Sequence, residues 1–147
     1  MPSLPDRLDF ALQAAYEAGR STLALFNTRP EVELKHDASP VTAADRHAEA
    51  LIRQRIRESF PGEAILGEEE GTSGAGSTRW VIDPIDGTKS FISGVPLYAT
   101  LLSFEVEGEP VVGVCFFPAL DEMLCAVKGE GARWNGRACR VRDNADP

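Results

Sequence analysis

The stretch Trp80-Val81-Ile82-Asp83-Pro84-Ile85-Asp86-Gly87-Thr88 constrains the fold more than any other. An apolar strand over 80–82 runs into two carboxylates and a hydroxyl, wrapped around a proline and a glycine. Before this point the apolar residues are spaced as in helices; beyond it they alternate with period two and are broken by turns. Residues 4–28 read as a helix, with Leu8, Leu12, Ala15, Gly19, Leu23 and Phe26 on one face. Ser3 with Asp6 forms a capping-box pattern at its start and Pro30 helps to stop it. VELK (32–35) reads as a short strand and DASP (37–40) as a turn. A second helix is expected from about Thr42 to Ser59, its inner stripe formed by Ala44, Ala48, Leu51, Ile52, Arg55 and Ile56, with Pro61-Gly62 ending it. AILG (64–67) is a strand leading into Glu68-Glu69-Glu70, and GTSGAGST (71–78) a flexible Gly/Ser-rich loop. ATLLSFEVE (99–107), VVGVCFF (111–117) and MLCAVK (123–128) follow as strands, and Asn135-Gly136 is the strongest hairpin signal. Two helices followed by a largely antiparallel meander make an α+β pattern.

With 147 residues, 43% of them hydrophobic, the chain suits one domain with a real core. Its net charge of −8 argues against nucleic acid or an anionic membrane as the main partner. MPSLPDRLDFALQ lacks the basic and apolar regions of a signal peptide, and no apolar run is long enough to span a bilayer. Cys115, Cys125 and Cys139 are odd in number and show no CxxC spacing, so a reducing cytoplasm is expected rather than a disulfide framework or zinc site.

The acidic clusters carry the chemistry. Pro84 biases Asp83 towards extended geometry, so Asp83 and Asp86 can face one point, and Gly87 lets backbone approach whatever lies there. If Gly87-Thr88 opens a short helix, its free N–H groups make an anion site. GEEEG (67–71) repeats the layout of apolar strand, carboxylates and glycine. Carboxylates from two strand ends would repel one another and any anion, and bound Mg²⁺ removes that conflict. Two such ions about 3.5–4 Å apart are a common device for phosphoryl hydrolysis. Plainer readings stand beside these. Asp-Pro-x-Asp-Gly is a good turn sequence, three adjacent glutamates make a solvated edge, and Asp45 is the third helical residue of a capping box begun by Thr42. Lys35, His36 and Asp37 read most simply as surface turn residues. The spacing excludes an Asp-x-Asp-x-Thr nucleophile motif, a helix–loop–helix calcium loop and a P-loop.

Four segments in order, SPVTAAD (39–45), LGEE (66–69), WVIDPIDGTKSF (80–91) and GEGARWNG (129–136), resemble the inositol monophosphatase family of Mg²⁺-dependent, lithium-sensitive phosphatases. The resemblance covers nearly the whole chain. It implies the N-terminal part of a layered α/β/α/β/α sugar-phosphatase fold, and hydrolysis of a small phosphorylated metabolite. It implies Glu68, Asp83 and Asp86 as metal ligands with the Ile85 carbonyl, for two or three Mg²⁺ ions, with Mn²⁺ as a substitute and Li⁺ as an inhibitor. Glu69 would support these ligands or bind a weaker metal, Asp45 and Thr88 would hold and polarise the nucleophilic water, and the N–H groups of Gly87 and Thr88, beside Asp86, would hold phosphate. A homodimer is also implied. GTKSFISGVPL (87–97) is most similar to the histidinol-phosphatase branch, with inositol 1-phosphate or nucleotide 3′-phosphate as alternatives.

Family members carry a further aspartate ligand in a later Trp-Asp-x-Ala-like motif. Here Trp80 and Trp134 are the only tryptophans and neither precedes Asp, while Asp121, Asp143 and Asp146 stand in turn or tail contexts. Residues 1–147 are therefore expected to form the metal-binding N-terminal part of such a phosphatase, with one sheet face uncovered and the site short of a carboxylate. A non-catalytic metal-binding module is the alternative.

Overall fold

The computed structural model describes residues 2–143; Asp146 lies outside them. The elements are α1 (Leu4–Thr22), β1 (Glu33–Leu34), β2 (Pro40–Val41), α2 (Ala43–Ser59), β3 (Ala64–Gly67), β4 (Gly71–Ser73), β5 (Thr78–Asp86), α3 (Thr88–Ile92), β6 (Ala99–Val106), β7 (Glu109–Phe117), β8 (Glu122–Val127), β9 (Gly131–Trp134) and β10 (Arg137–Cys139). β1 and β2 form a small ribbon, and the other eight strands form one sheet in the order β10-β9-β8-β7-β6-β5-β3-β4. Within that sheet only β3 and β5 run parallel. The α+β expectation, two helices and then a largely antiparallel sheet, describes this architecture.

α1 and α2 cover one face of the sheet. Ala11, Ala14, Ala18, Ile52 and Ile56 meet Trp80, Ile82, Leu102, Phe104, Val114 and Phe116 in one buried core. Strand alternation sends Val81, Leu101, Cys115 and Leu124 to the other face, where they line an open apolar hollow of about 430 Å³. The three cysteines are free thiols. No helix among the described residues is long and apolar enough to cross a membrane.

The helix expected over 4–28 ends at Thr22. The Thr22 hydroxyl donates to the Gly19 carbonyl at 2.6 Å and pairs with the Tyr98 hydroxyl at 2.9 Å, and Asn27 and Arg29 then adopt left-handed backbone (φ 59° and 56°). The buried face of α1 is Arg7, Ala11, Ala14, Ala15, Ala18, Gly19 and Thr22, rotated from the expected stripe, with Leu8 and Leu12 packing at its edges. Small residues bring this helix close to the sheet: a Cβ on Gly19 would stand 2.5 Å from Phe116 Cδ1.

Two loop assignments also change. Residues 71–73 are not free loop: β4 pairs with β3 as an edge strand, Ile65 opposite Ser73. The strand at 80–82 does not stop at Ile82. β5 continues to Asp86, with an irregularity in its pairing to β6 between Asp83 and Asp86. Pro84 has no N–H to give the ladder, and Thr100 Oγ1 donates instead to the Pro84 carbonyl at 2.9 Å.

A largely buried ion pair ties α1 to the strands. Arg7 donates to both oxygens of Glu63 at 2.8 and 2.6 Å, Trp80 Nε1 donates to Glu63 at 2.7 Å, and the Arg7 guanidinium lies 3.8 Å from the Phe104 ring centroid.

Candidate active site

Three chain segments meet at one corner of the sheet. α2 begins there at its N-cap, Thr42. β3 ends there and turns through Glu68–Glu70. β5 ends there and passes through Gly87 into α3. Gly87 takes left-handed backbone (φ 88°), and an added Cβ would stand 3.3 Å from the Leu97 carbonyl, so this sharp passage needs glycine. Among the described residues, no side chain caps α3.

Asp45 serves two structures at once. Its Oδ2 accepts from the Thr42 backbone N–H at 2.8 Å and from Thr42 Oγ1 at 2.6 Å, as a capping box requires. Its Oδ1 accepts from Thr88 Oγ1 at 3.1 Å, and the same hydroxyl lies 3.1 Å from the Ile85 carbonyl. Capping and the link to Thr88 are therefore both real, one on each oxygen.

Asp83 is the electrostatic centre. Burial first, then a hydrogen bond with Glu68 and the charges of Glu68, Asp86 and Asp45, push its carboxyl up to about 8. Its Oδ1 is buried and has no hydrogen-bond partner among the described residues. Burial also raises the Glu69 carboxyl, opposed by Lys35 and reinforced by Asp45 and Glu68. Asp45, Glu68, Glu69, Asp83 and Asp86 thus form one cluster of acidic groups.

Lys35 answers part of that charge. Its Nζ donates to Glu68 Oε1 at 3.0 Å and to Glu69 Oε1 at 2.8 Å. Lys35 opens the expected turn, its carbonyl accepting from the Ala38 N–H, but the surface-turn reading does not include its contacts with the two glutamates. β1 and β2 carry this residue over the end of β3, a long-range placement that local spacing does not encode. Sequence reasoning also missed Glu49 and Arg53, both buried on α2. The signal was there: Asp45, Glu49 and Arg53 recur every four residues on the helix face directed at the site.

Among the described residues, no three His, Cys, Asp or Glu side chains already stand together as a metal cage. Glu68 and Glu69 are engaged by Lys35 instead. The donor set nonetheless fits a hard cation. It is all oxygen, it is mutually repulsive, and it includes a buried carboxyl oxygen that no group among the described residues satisfies.

Residues 4–146 match the family model described as the inositol monophosphatase family. A histidinol-phosphatase from Chlorobaculum parvum is 51% identical over 140 residues, covering 93% of this chain and 53% of that protein. An inositol-1-monophosphatase from Rhizobium meliloti is 41% identical, with 91% and 52% covered. The IMPase structure of Thermotoga maritima superposes with a TM-score of 0.89 at 40% identity, covering 95% of this chain and 55% of that one. The chain spans about half the length of the relatives it matches. With its fold and its sequence both matched over almost all of its length, the chain belongs to the inositol monophosphatase family.

Proposed function

We propose that this chain forms the cation- and phosphate-binding part of a Mg²⁺-dependent phosphoric monoester hydrolase acting on a small phosphorylated metabolite, histidinol phosphate first. The observation that carries the reading is the unpartnered buried oxygen of Asp83, set among Glu68, Asp86 and the Asp45–Thr88 pair. Glu68, Asp83, Asp86 and the Ile85 carbonyl would hold Mg²⁺ or Mn²⁺, with Glu69 beside them. The cation supplies Lewis acidity towards phosphoryl oxygens and makes water more acidic.

The protein's own groups then have separate tasks. Thr88, its proton directed to Asp45 Oδ1, presents oxygen lone pairs to a water and orients it. The water attacks phosphorus in line, the P–O bond to the metabolite breaks, and no phospho-enzyme forms. The proton lost by the water passes through Thr88 to Asp45, whose Oδ2 is fixed by Thr42. The departing alkoxide takes its proton from solvent. The N–H groups of Gly87 and Thr88, at the uncapped start of α3, are suited to phosphate oxygens.

Histidinol phosphate is preferred because the 51% identical relative bears the name histidinol-phosphatase. Inositol 1-phosphate is second, on the strength of the Rhizobium meliloti relative. The free thiols are compatible with a reducing cytoplasm, and a homodimer is part of the same reading.

The test is phosphate release from histidinol phosphate, inositol 1-phosphate and 3′-phosphoadenosine 5′-phosphate in parallel, with Mg²⁺ and with chelator, beside a Mn²⁺ titration. Chelator-sensitive turnover of histidinol phosphate supports the reading. Mn²⁺ binding without turnover of any of the three favours a non-catalytic cation-binding module. Neither binding nor turnover overturns both.

A further inference from the structure

The turn Glu68-Glu69-Glu70 carries three carboxylates in a row, the first of them beside Asp83. Left to themselves they would splay apart. A buried ion pair on α2 stands behind the turn. Glu49 is fully buried, and its Oε2 accepts from the Glu69 N–H at 2.7 Å while Oε1 accepts from the Glu70 N–H at 3.0 Å. Arg53, equally buried, donates from Nε to Glu49 Oε1 at 2.8 Å and from a terminal nitrogen to Ser73 Oγ at 3.1 Å. It also donates to the Gly71 carbonyl and stands 3.5 Å from the Glu70 carboxylate. Gly67 admits the pair: a Cβ there would stand 2.1 Å from Glu49 Oε1 and 2.6 Å from the Arg53 terminal nitrogen.

The pair therefore sorts the three glutamates. Glu70 is drawn towards Arg53, while Glu68 and Glu69 are left to face Lys35, with Glu68 beside Asp83. A buried ion pair is a poor device for stability alone, because desolvation offsets most of the attraction. Every polar contact of this one goes to the residues of the turn and its exit strand or to its own partner.

We propose that Glu49 and Arg53 are positioning residues for the cation site: they touch no cation, and they set the aim of Glu68 and Glu69 through the backbone of the turn. The cation part rests on the function proposed above; the positioning part does not. Partners of this kind, one layer behind metal ligands, govern affinity in other proteins.

The experiment compares the parent chain with Glu49→Gln and Arg53→Lys. It reads residue-resolved amide exchange by NMR and Mn²⁺ affinity by electron paramagnetic resonance. Glu63→Gln serves as a control that disturbs a buried ion pair remote from the turn. Glu49→Gln should speed exchange at Glu69 and Glu70 roughly tenfold or more while the amides of β6 and β7 keep their protection. It should weaken Mn²⁺ binding roughly tenfold. Arg53→Lys, which keeps the charge and loses the fork, should move both readouts the same way by less. Glu63→Gln should lower the melting temperature and leave both readouts at the site in place. Unchanged exchange at Glu69 and Glu70 in both variants overturns the proposal, as does a loss of Mn²⁺ affinity in Glu63→Gln equal to that in Glu49→Gln. If Glu49→Gln does not fold, Arg53→Lys alone decides. A parent chain that binds no Mn²⁺ would overturn the cation part and the proposed function together, while amide exchange would still judge the positioning part separately.

Discussion

Thr88 donates its hydroxyl to Asp45 Oδ1 over 3.1 Å, joining the start of α3 to the first turn of α2 across 43 residues of chain. One carboxylate thus closes a helix cap with one oxygen and orients a candidate water-holding hydroxyl with the other. Asp45→Asn keeps a cap acceptor but loses the charge. Phosphate release should fall by about 10²–10⁴-fold, the usual worth of a general base. Its stability cost should stay below about 1 kcal/mol, the worth of a lost cap. Thr88→Val should lose activity likewise and Thr88→Ser retain much of it. Steady-state phosphate release, with urea melts alongside, checks the set; activity within a few-fold of the parent in both Asp45→Asn and Thr88→Val would remove the pair from the chemistry.

Asp83 makes the metal-free chain sensitive to pH. Its carboxyl is raised in the folded state from 3.8 to about 8, by burial and by its acidic neighbours. The folded state therefore holds a proton that the unfolded chain has already released. The stabilising contribution is complete below pH about 4 and is lost as the pH rises to about 8. Thermal melts with chelator from pH 5 to 9 should show stability falling with pH. Asp83→Asn should flatten that trend, and Mn²⁺ should oppose it by neutralising the carboxylate. A metal-free chain that grows more stable over this range would contradict the assignment.

On the proposed function, Lys35 and a bound cation would compete for Glu68 and Glu69. Each ion pair is partly exposed and is worth about 0.2–1 kcal/mol. Lys35→Met should tighten Mn²⁺ binding by roughly twofold to tenfold, since the incoming ion no longer displaces an ammonium. Isothermal titration reads this directly, and weaker binding in Lys35→Met would show that the lysine supports the bound state instead.

The Arg7–Glu63 pair tests the fold apart from the site. Glu63 neutralises a guanidinium that is 3% exposed and also receives Trp80 Nε1. Glu63→Gln leaves that guanidinium without its counter-charge and should cost about 3–5 kcal/mol. Urea unfolding measures it, and a loss under about 1 kcal/mol would mean that the Phe60 and Phe104 rings suffice to hold Arg7.

Much of this architecture could be read from local pattern. The second helix and its Thr42–Asp45 box, the hairpin at Asn135-Gly136 and the alternating strands from Ala99 onward all rest on interactions within a few residues. Errors came where a distant partner decided. Residues 71–73 are Gly/Ser-rich and became a strand because β3 offers an edge and Arg53 anchors Ser73 and Gly71. Leu8 and Leu12 yielded the centre of α1 to alanines because the sheet came close enough to favour small side chains.

By itself the sequence determined the chemical kinds present at the site: carboxylates at two strand ends, a glycine where the chain turns sharply, a threonine beside it. Those are properties of single residues and short spacings. Only the tertiary structure decided which of them act on one another. It set Asp45 against Thr88, placed Lys35 over Glu68 and Glu69, and buried Glu49 and Arg53 behind the turn. Charge and hydrogen bonding act over a few ångströms of space, and only folding brings residues 33, 43 or 20 positions apart within that range.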